Sequence, residues 1–239
     1  MRKNVLLLAA LLLAVSVNLS AQYKEFGFGV KLGPTFEWAG SKNNTVQNEA
    51  TRAGFKWGVF GEYYFAENYA IVAGLNGNHL RDSYSFSDKM LLNRDTLSGT
   101  ISRNFKGMYL EIPVMLKMRT EEFGDFQFFA EFGAGLGLRR RAWVQDEFKV
   151  SNSNIQQTST EYVAVPKQYN PLRCNLLVAS GAEDMIKGST RAFANLTYSR
   201  DLVNGFSIPF RNNYITEADR VTKLDLRRNI IGIEVGILF

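Results

Sequence analysis

Residues 25–38 read EFGFGVKLGPTFEW, and their period-two alternation constrains the fold more than any other feature of the chain. Phe26, Phe28, Val30, Leu32, Phe36 and Trp38 share one face, while Gly27, Gly29, Lys31, Gly33, Thr35 and Glu37 share the other. Successive side chains of a strand point to opposite sides, whereas a helix repeats near 3.6 residues, so this is a strand with one apolar and one glycine-and-charge face. The pattern returns in GFKWGVFGEYYF (54–65), YAIVAGLNGNHL (69–80), KGMYLEIPVMLKM (106–118), DFQFFAEFGAGLGLRR (125–140) and RNIIGIEVGILF (228–239). It is looser in RCNLLVASGAED (173–184) and TRAFANLTYSR (190–200), which complete a set of eight strands. The sequence predicts an all-β fold.

The connections fall into two alternating classes. Ala66–Tyr69, Arg119–Asp125 and Ile186–Thr190 are short; Ala39–Ala53, Asp82–Arg103, Trp143–Leu172 and Asp201–Val221 are long, polar and rich in Asn, Ser and Thr. Tight turns on one side and long loops on the other describe an eight-stranded antiparallel up-and-down meander with both termini on the short-turn side. Outer-membrane barrels have this layout, with short periplasmic turns and longer outside loops.

The first residues, MRKNVLLLAALLLAVSVNLSAQ, have the layout of a secretory signal peptide. Arg2 and Lys3 precede an apolar run from Val5 to Val17, and Ala21 offers a small residue for cleavage. The run is shorter than the roughly 20 residues a spanning helix needs. The expected division is therefore 1–21 signal peptide and 22–239 barrel domain. The formal charge of +5 falls to +3 without Arg2 and Lys3, too mild to argue for nucleic acid. RRR at 139–141 is the one basic cluster and reads as a strand end. A single cysteine, Cys174, excludes an intrachain disulfide and a cysteine-based metal site, and no cofactor-binding motif is present.

Alternation alone also suits a soluble barrel with its apolar face inward. Three features favour lipid outside instead. Glycine concentrates on the polar face (Gly27, Gly29, Gly33, Gly58, Gly133, Gly135, Gly137, Gly232, Gly236), where it would weaken a water-facing strand but make room in a narrow lumen. Large aromatics such as Phe26, Trp38, Tyr63, Phe65, Phe126 and Phe239 sit near strand ends, as interfacial girdles do. Finally, only a closed barrel satisfies every strand backbone group in lipid. The predicted lumen then holds Lys31, Glu37, Lys56, Glu62, Glu111, Lys117, Glu131, Arg139, Glu183, Arg191 and Glu234. Mixed signs at this density predict a mutually paired plug, with a narrow ion path as the alternative.

YLEIPVMLK at 109–117 resembles a hallmark strand of the PorT-like outer-membrane β-barrel family of Bacteroidota, and GVFGEYYFAENYAIVAGL at 58–75 is similar to the hairpin before it. The resemblance spans the mature chain and implies residence in the outer membrane of a Gram-negative bacterium, in contact with its lipid. It also implies that the terminal Phe239 helps the barrel-assembly machinery recognise the chain. One member of the family is an accessory of type IX secretion, so a role beside secretion or envelope proteins is an implied alternative. Pro113 departs from the rule that proline avoids interior ladder positions.

The expected function is a small non-enzymatic outer-membrane barrel in an envelope-structural or binding role, with Trp143–Leu172 as the expected contact surface. An enzyme would lean on a histidine with acid or hydroxyl partners. His79, followed by Arg81, Asp82 and Ser83, is the only histidine, and at a strand end it reads as a surface or interface residue.

Overall fold

The computed structural model describes residues 26–92, 95–124, 126–151, 156–158, 161–207 and 224–239. The expected signal peptide and the first mature residues lie outside them. Eight strands carry the fold: β1 (Phe26–Gly40), β2 (Arg52–Ala66), β3 (Tyr69–Leu92), β4 (Asp95–Arg119), β5 (Phe126–Val150), β6 (Leu172–Lys187), β7 (Thr190–Asp201) and β8 (Arg227–Leu238). Each pairs antiparallel with its sequence neighbours, and β8 returns to β1 with Val30 opposite Ile237 and Phe36 opposite Ile231. Phe28 and Phe239 exchange both backbone hydrogen bonds at the rim. The meander is a closed eight-stranded barrel, and the strand RNIIGIEVGILF shuts it against EFGFGVKLG as the alternation predicts.

The predicted faces are observed. Phe26, Phe28, Val30, Leu32 and Phe36 are exposed, while Gly27, Gly29, Lys31, Gly33 and Thr35 are buried; the other strands follow suit. This outward belt, from Phe26 to Phe36 on β1, covers ten residue steps. At about 3.3 Å per residue and a tilt of about 40°, that is roughly 25 Å of height, the thickness of the apolar band on membrane barrels. Aromatic rings pair along its short-turn edge, Phe26 with Tyr63 at 4.9 Å and Phe65 with Tyr69 at 6.2 Å between centroids. No helix of the described residues is long and apolar enough to cross a membrane.

The prolines that interrupt the pattern sit where the ladder has gaps. The β3–β4 register runs from Ala73↔Val114 to Asn76↔Glu111, and no pair is formed at Ile112 and Pro113. On its other side Pro113 faces Gly135 of β5. Pro34 sits in a similar gap between β1 and β8, from Leu32↔Val235 to Thr35↔Gly232. A residue without an N–H is tolerated because that edge donates nothing.

The long links correct the sequence reading. Asp82–Arg103, expected as a polar loop, is strand almost throughout: β3 and β4 stay in register from His79↔Met108 up to Leu92↔Asp95. The first part of Trp143–Leu172 likewise extends β5 to Val150, with short strands Gln156–Thr158 and Val163–Ala164 added along its edge. Another short strand, Gln47–Ala50, pairs with β3 inside the Ala39–Ala53 link. Most of Asp201–Val221 lies outside the described residues. These stretches are polar on one face only. Tyr84, Phe86, Ile101, Phe105, Phe148 and Val150 keep the period of two and bury their side chains, while the intervening Ser, Asn and Asp residues lower the average hydrophobicity and hide it.

Candidate functional site

Because the lumen-facing positions are fixed by strand parity, the predicted charges converge inside the barrel, where no water shell can solvate them and each must find a partner. At the short-turn end, Lys117 Nζ lies 2.8 Å from both Glu62 Oε1 and Glu183 Oε2. Glu183 also meets Arg119 at 3.2 Å and Arg191 at 2.9 Å, and the Tyr64 hydroxyl donates to Glu62. Lys117 stands 4.5 Å from the centre of the Phe129 ring, from which Phe193 and Phe60 follow edge to face at 6.3 and 5.6 Å. Phe60 in turn underlies Lys31, whose Nζ is 3.0 Å from Glu234 Oε2; Lys56 takes the other oxygen at 2.7 Å.

Higher up, Arg173 bonds Glu111 at 3.0 Å and Asp201 at 2.6 Å, and Asn76 donates to the second Glu111 oxygen at 3.2 Å. At the long-loop end Arg228 is paired with Asp82, lies 3.9 Å from Asp201, and stacks 4.6 Å from the Phe105 ring centre. Glu37 accepts from the Thr35 hydroxyl at 2.8 Å and the Arg81 backbone N–H at 2.6 Å. Glycine makes this packing possible. A Cβ on Gly135 would come within 2.7 Å of Asn175 Oδ1 and 2.9 Å of Glu111 Cδ. The cavity beside Lys56, Glu111 and Arg173 is about 20 Å³, room for about one water molecule.

Of the eleven predicted lumen residues, ten enter this interior. Glu131 is buried opposite Lys117 in the ladder, and Arg191 lies half-buried at the rim. Arg139 differs: it is half-buried above the network and donates to the Tyr169 carbonyl. It keeps the inward parity opposite Tyr109, just before the β5 bulge at Arg140, and ties β5 to the segment around the short 3-10 turn Pro166–Gln168. Sequence reasoning missed Arg119, Arg173, Arg228, Asp82 and Asp201. Arg119 and Arg228 continue the parity of Lys117 and Glu234 and were legible; Asp82 and Asp201 fell in stretches read as loops.

Above the belt stands a second built region. Leu80, Tyr84, Phe86, Ile101, Phe105, Tyr109, Phe148, Tyr169, Phe206, Leu224 and Leu226 form a buried apolar core that roofs the lumen. Polar clamps hold it. Arg103 makes a two-pronged contact to Asp146 at 2.6 and 2.5 Å and reaches Gln168 at 2.6 Å. Asn204 Oδ1 accepts from the Phe206 and Leu226 N–H groups, both at 3.0 Å. Tyr84 and Tyr169 share a hydrogen bond, and burial pushes both phenols above their ordinary values.

His79 faces outward at the long-loop edge of the belt, between Phe55 and Met108 of the neighbouring strands. Asp82, three residues on, points the opposite way to Arg228. Among the described residues, no group of three His, Cys, Asp or Glu side chains is placed to hold a metal ion.

Residues 19–207 match the family model described as outer membrane protein beta-barrel domain. No curated protein matches the sequence. Among solved structures, the chain is similar to Ail, the attachment invasion locus protein of Yersinia pestis, at 12% identity and a TM-score of 0.38, covering 90% of this chain and 99% of that one. Neisserial surface protein A gives 10% identity and 0.40, covering 87% and 95%. OprG from Pseudomonas aeruginosa gives 10% and 0.37, covering 89% and 95%. Likeness at this level carries no functional argument.

Proposed function

The chain belongs to the outer membrane protein beta-barrel domain family and resides in the outer membrane of a Gram-negative bacterium, and from that premise we propose that it is a sealed, non-enzymatic anchor for an extracellular β-module in a binding or envelope-structural role. The observation that carries this reading is the roof. β3, β4 and β5 run well past the belt and fold their apolar face over segments 165–170, 204–206 and 224–226. A channel needs a wet lumen; this lumen is filled by paired charges and then covered by aromatic rings. The module's outer face is what remains to meet a partner, and Trp143–Leu172 serves two ends: Phe148 and Tyr169 are core, while Tyr162 and Val163 are exposed.

We place the chain in the PorT-like branch of Bacteroidota on the strength of residues 58–75 and 109–117. The secretion-accessory role of that branch's namesake is the second reading, and co-purification with periplasmic proteins from detergent extracts tests it. For the first reading, the purified barrel in planar bilayers should show no unitary conductance. Cells lacking the gene should regain normal detergent resistance with the intact chain and fail to with residues 83–104 replaced by a four-residue turn. Steady conductance steps, or full complementation by the shortened variant, would refute it.

A further inference from the structure

The outer face of β3, β4 and β5 carries a basic patch that the sealed-anchor reading leaves unused. Its rows follow the ladder. Gly77, Leu110 and Leu138 lie side by side as the last apolar row of the belt, with Trp57 packed over Gly77. The next row is His79, Met108 and Arg141, and the one above it Arg81, Lys106 and Trp143. Arg140, the extra residue of the β5 bulge, is exposed beside them.

Two features set these cations apart from every basic side chain in the lumen. Arg81 and Lys106 are directly opposite each other on one face, an arrangement that repels unless an anion sits between them. And Arg81, Lys106, Arg140 and Arg141 have no carboxylate within 4.0 Å among the described residues, whereas Lys31, Lys56, Lys117, Arg119, Arg173, Arg191 and Arg228 all do. Along these rows of β3, β4 and β5 the first acidic residue is Glu147, two rows higher and opposite Ser102, whose hydroxyl donates to Glu49; Glu161 precedes the Tyr162 that covers Lys106. Aromatic faces hold two of the cations in place: Lys106 Nζ is 3.6 Å from the Tyr162 ring centre and Arg141 is 5.6 Å from that of Trp143.

We infer that this patch binds the phosphate of an outer-leaflet lipid headgroup. Its height decides the occupant. The cations begin one row above the last lipid-facing leucines, where the acyl chains end and the charged headgroups start, and Leu110 and Leu138 below them continue the surface on which the same lipid's chains would lie. A soluble anion would gain from the charges but not from this continuity. Guanidinium pairs suit phosphate oxygens through their fixed fork of donors.

The test is native mass spectrometry of the detergent-solubilised barrel. The probes are a glycolipid carrying phosphates on a glucosamine disaccharide, its dephosphorylated counterpart, and inorganic phosphate as competitor. The intact chain should retain the phosphorylated lipid and release it as salt rises. The variant R81Q/K106Q/R141Q should bind on the order of 100-fold more weakly, taking about fivefold for each basic side chain near an anionic surface. Heat-dependent migration on gels, unchanged in the variant, confirms that the barrel is folded. If misfolding defeats that variant, R141Q alone should still show about a fivefold loss. Equal retention of the dephosphorylated lipid, an unchanged variant, or competition by inorganic phosphate at lipid-like concentrations would each overturn the inference. So would lysate proteins that occupy the patch in preference to lipid.

Discussion

Lys117→Met is the sharpest probe of the plug. Lys117 is 2% exposed and serves two carboxylates at 2.8 Å, Glu62 and Glu183, each with 1% of its side chain exposed. At an effective dielectric of about 20, one such contact amounts to about 6 kcal/mol of attraction before desolvation is subtracted. Methionine fills the volume but abandons both anions. Glu183 keeps Arg119 and Arg191, whereas Glu62 is left with the Tyr64 hydroxyl alone. Stranding one member of a buried pair costs about 3–5 kcal/mol, while replacing the pair by apolar groups is close to neutral. The single variant should therefore lose about 3–5 kcal/mol in urea unfolding of the vesicle-refolded barrel, and K117M/E62Q should recover most of it. E62Q alone, which leaves Lys117 with Glu183, should cost about 1 kcal/mol, an ordinary hydrogen-bond loss. A K117M cost below about 1 kcal/mol, or a double variant as weak as the single one, would refute the view that the lumen is held by mutual neutralisation.

The roof makes separate predictions. Phe206→Ala, which removes a ring packed on Tyr84, Phe86 and Tyr169, should cost the module about 3–5 kcal/mol. It should open residues 161–170 to protease on intact cells while the barrel keeps its heat-dependent gel shift. Because burial raises the Tyr84 and Tyr169 phenols, their contribution is complete below the unfolded value near pH 10. It declines as pH rises from there toward the folded values, and Y84F should flatten that decline in unfolding measured between pH 8 and 12. Phe239→Ala alters a side chain that is 53% exposed and leaves both backbone bonds to Phe28 in place. Refolded stability should move by no more than about 0.5 kcal/mol, yet if the terminal aromatic is read during biogenesis, the folded form in outer membranes should drop severalfold on immunoblots.

The strands were legible because each pairs two signals: side-chain parity and a change of chemistry between faces. In β1 nothing else could produce Phe26, Phe28, Val30 and Leu32 against Gly27, Gly29, Lys31 and Gly33. The charges of the lumen were legible for the same reason, since Glu62, Lys117 and Glu234 fall on the glycine side of apolar strands. The signal failed where lipid no longer faces the chain. Above the belt the outer face of β3 and β4 turns to Ser83, Ser85, Ser102 and Asn104, so the alternation survives only as Tyr84, Phe86 and Phe105 among polar neighbours and reads as loop. Arg173 escaped notice because Leu177 and Ala179 put apolar side chains on the lumen face of β6 and blur its parity, and Arg139 keeps the lumen parity but stands above the charge network, at the edge of a roof whose strands read as loop.

The Lys31–Glu234 bridge has a bearing on how the molecule is completed. It joins the first strand to the last, so it cannot form until the whole intervening chain is in place, and it therefore acts late, as a test of the finished seam. A slip of one residue between β1 and β8 would turn Glu234 outward into hydrocarbon. A slip of two would keep it inside but carry it about 7 Å along the strand: one way to the level of Thr35, away from both lysines, the other way to the level of Lys31 but off the row it shares with Lys56. Misaligned closures thus lose one or both cations from this carboxylate, and the native register is the one in which the final strand brings its charge to Lys31 and Lys56 together. On this view the polar interior is an error-rejecting device for assembly as much as a filling for the finished wall.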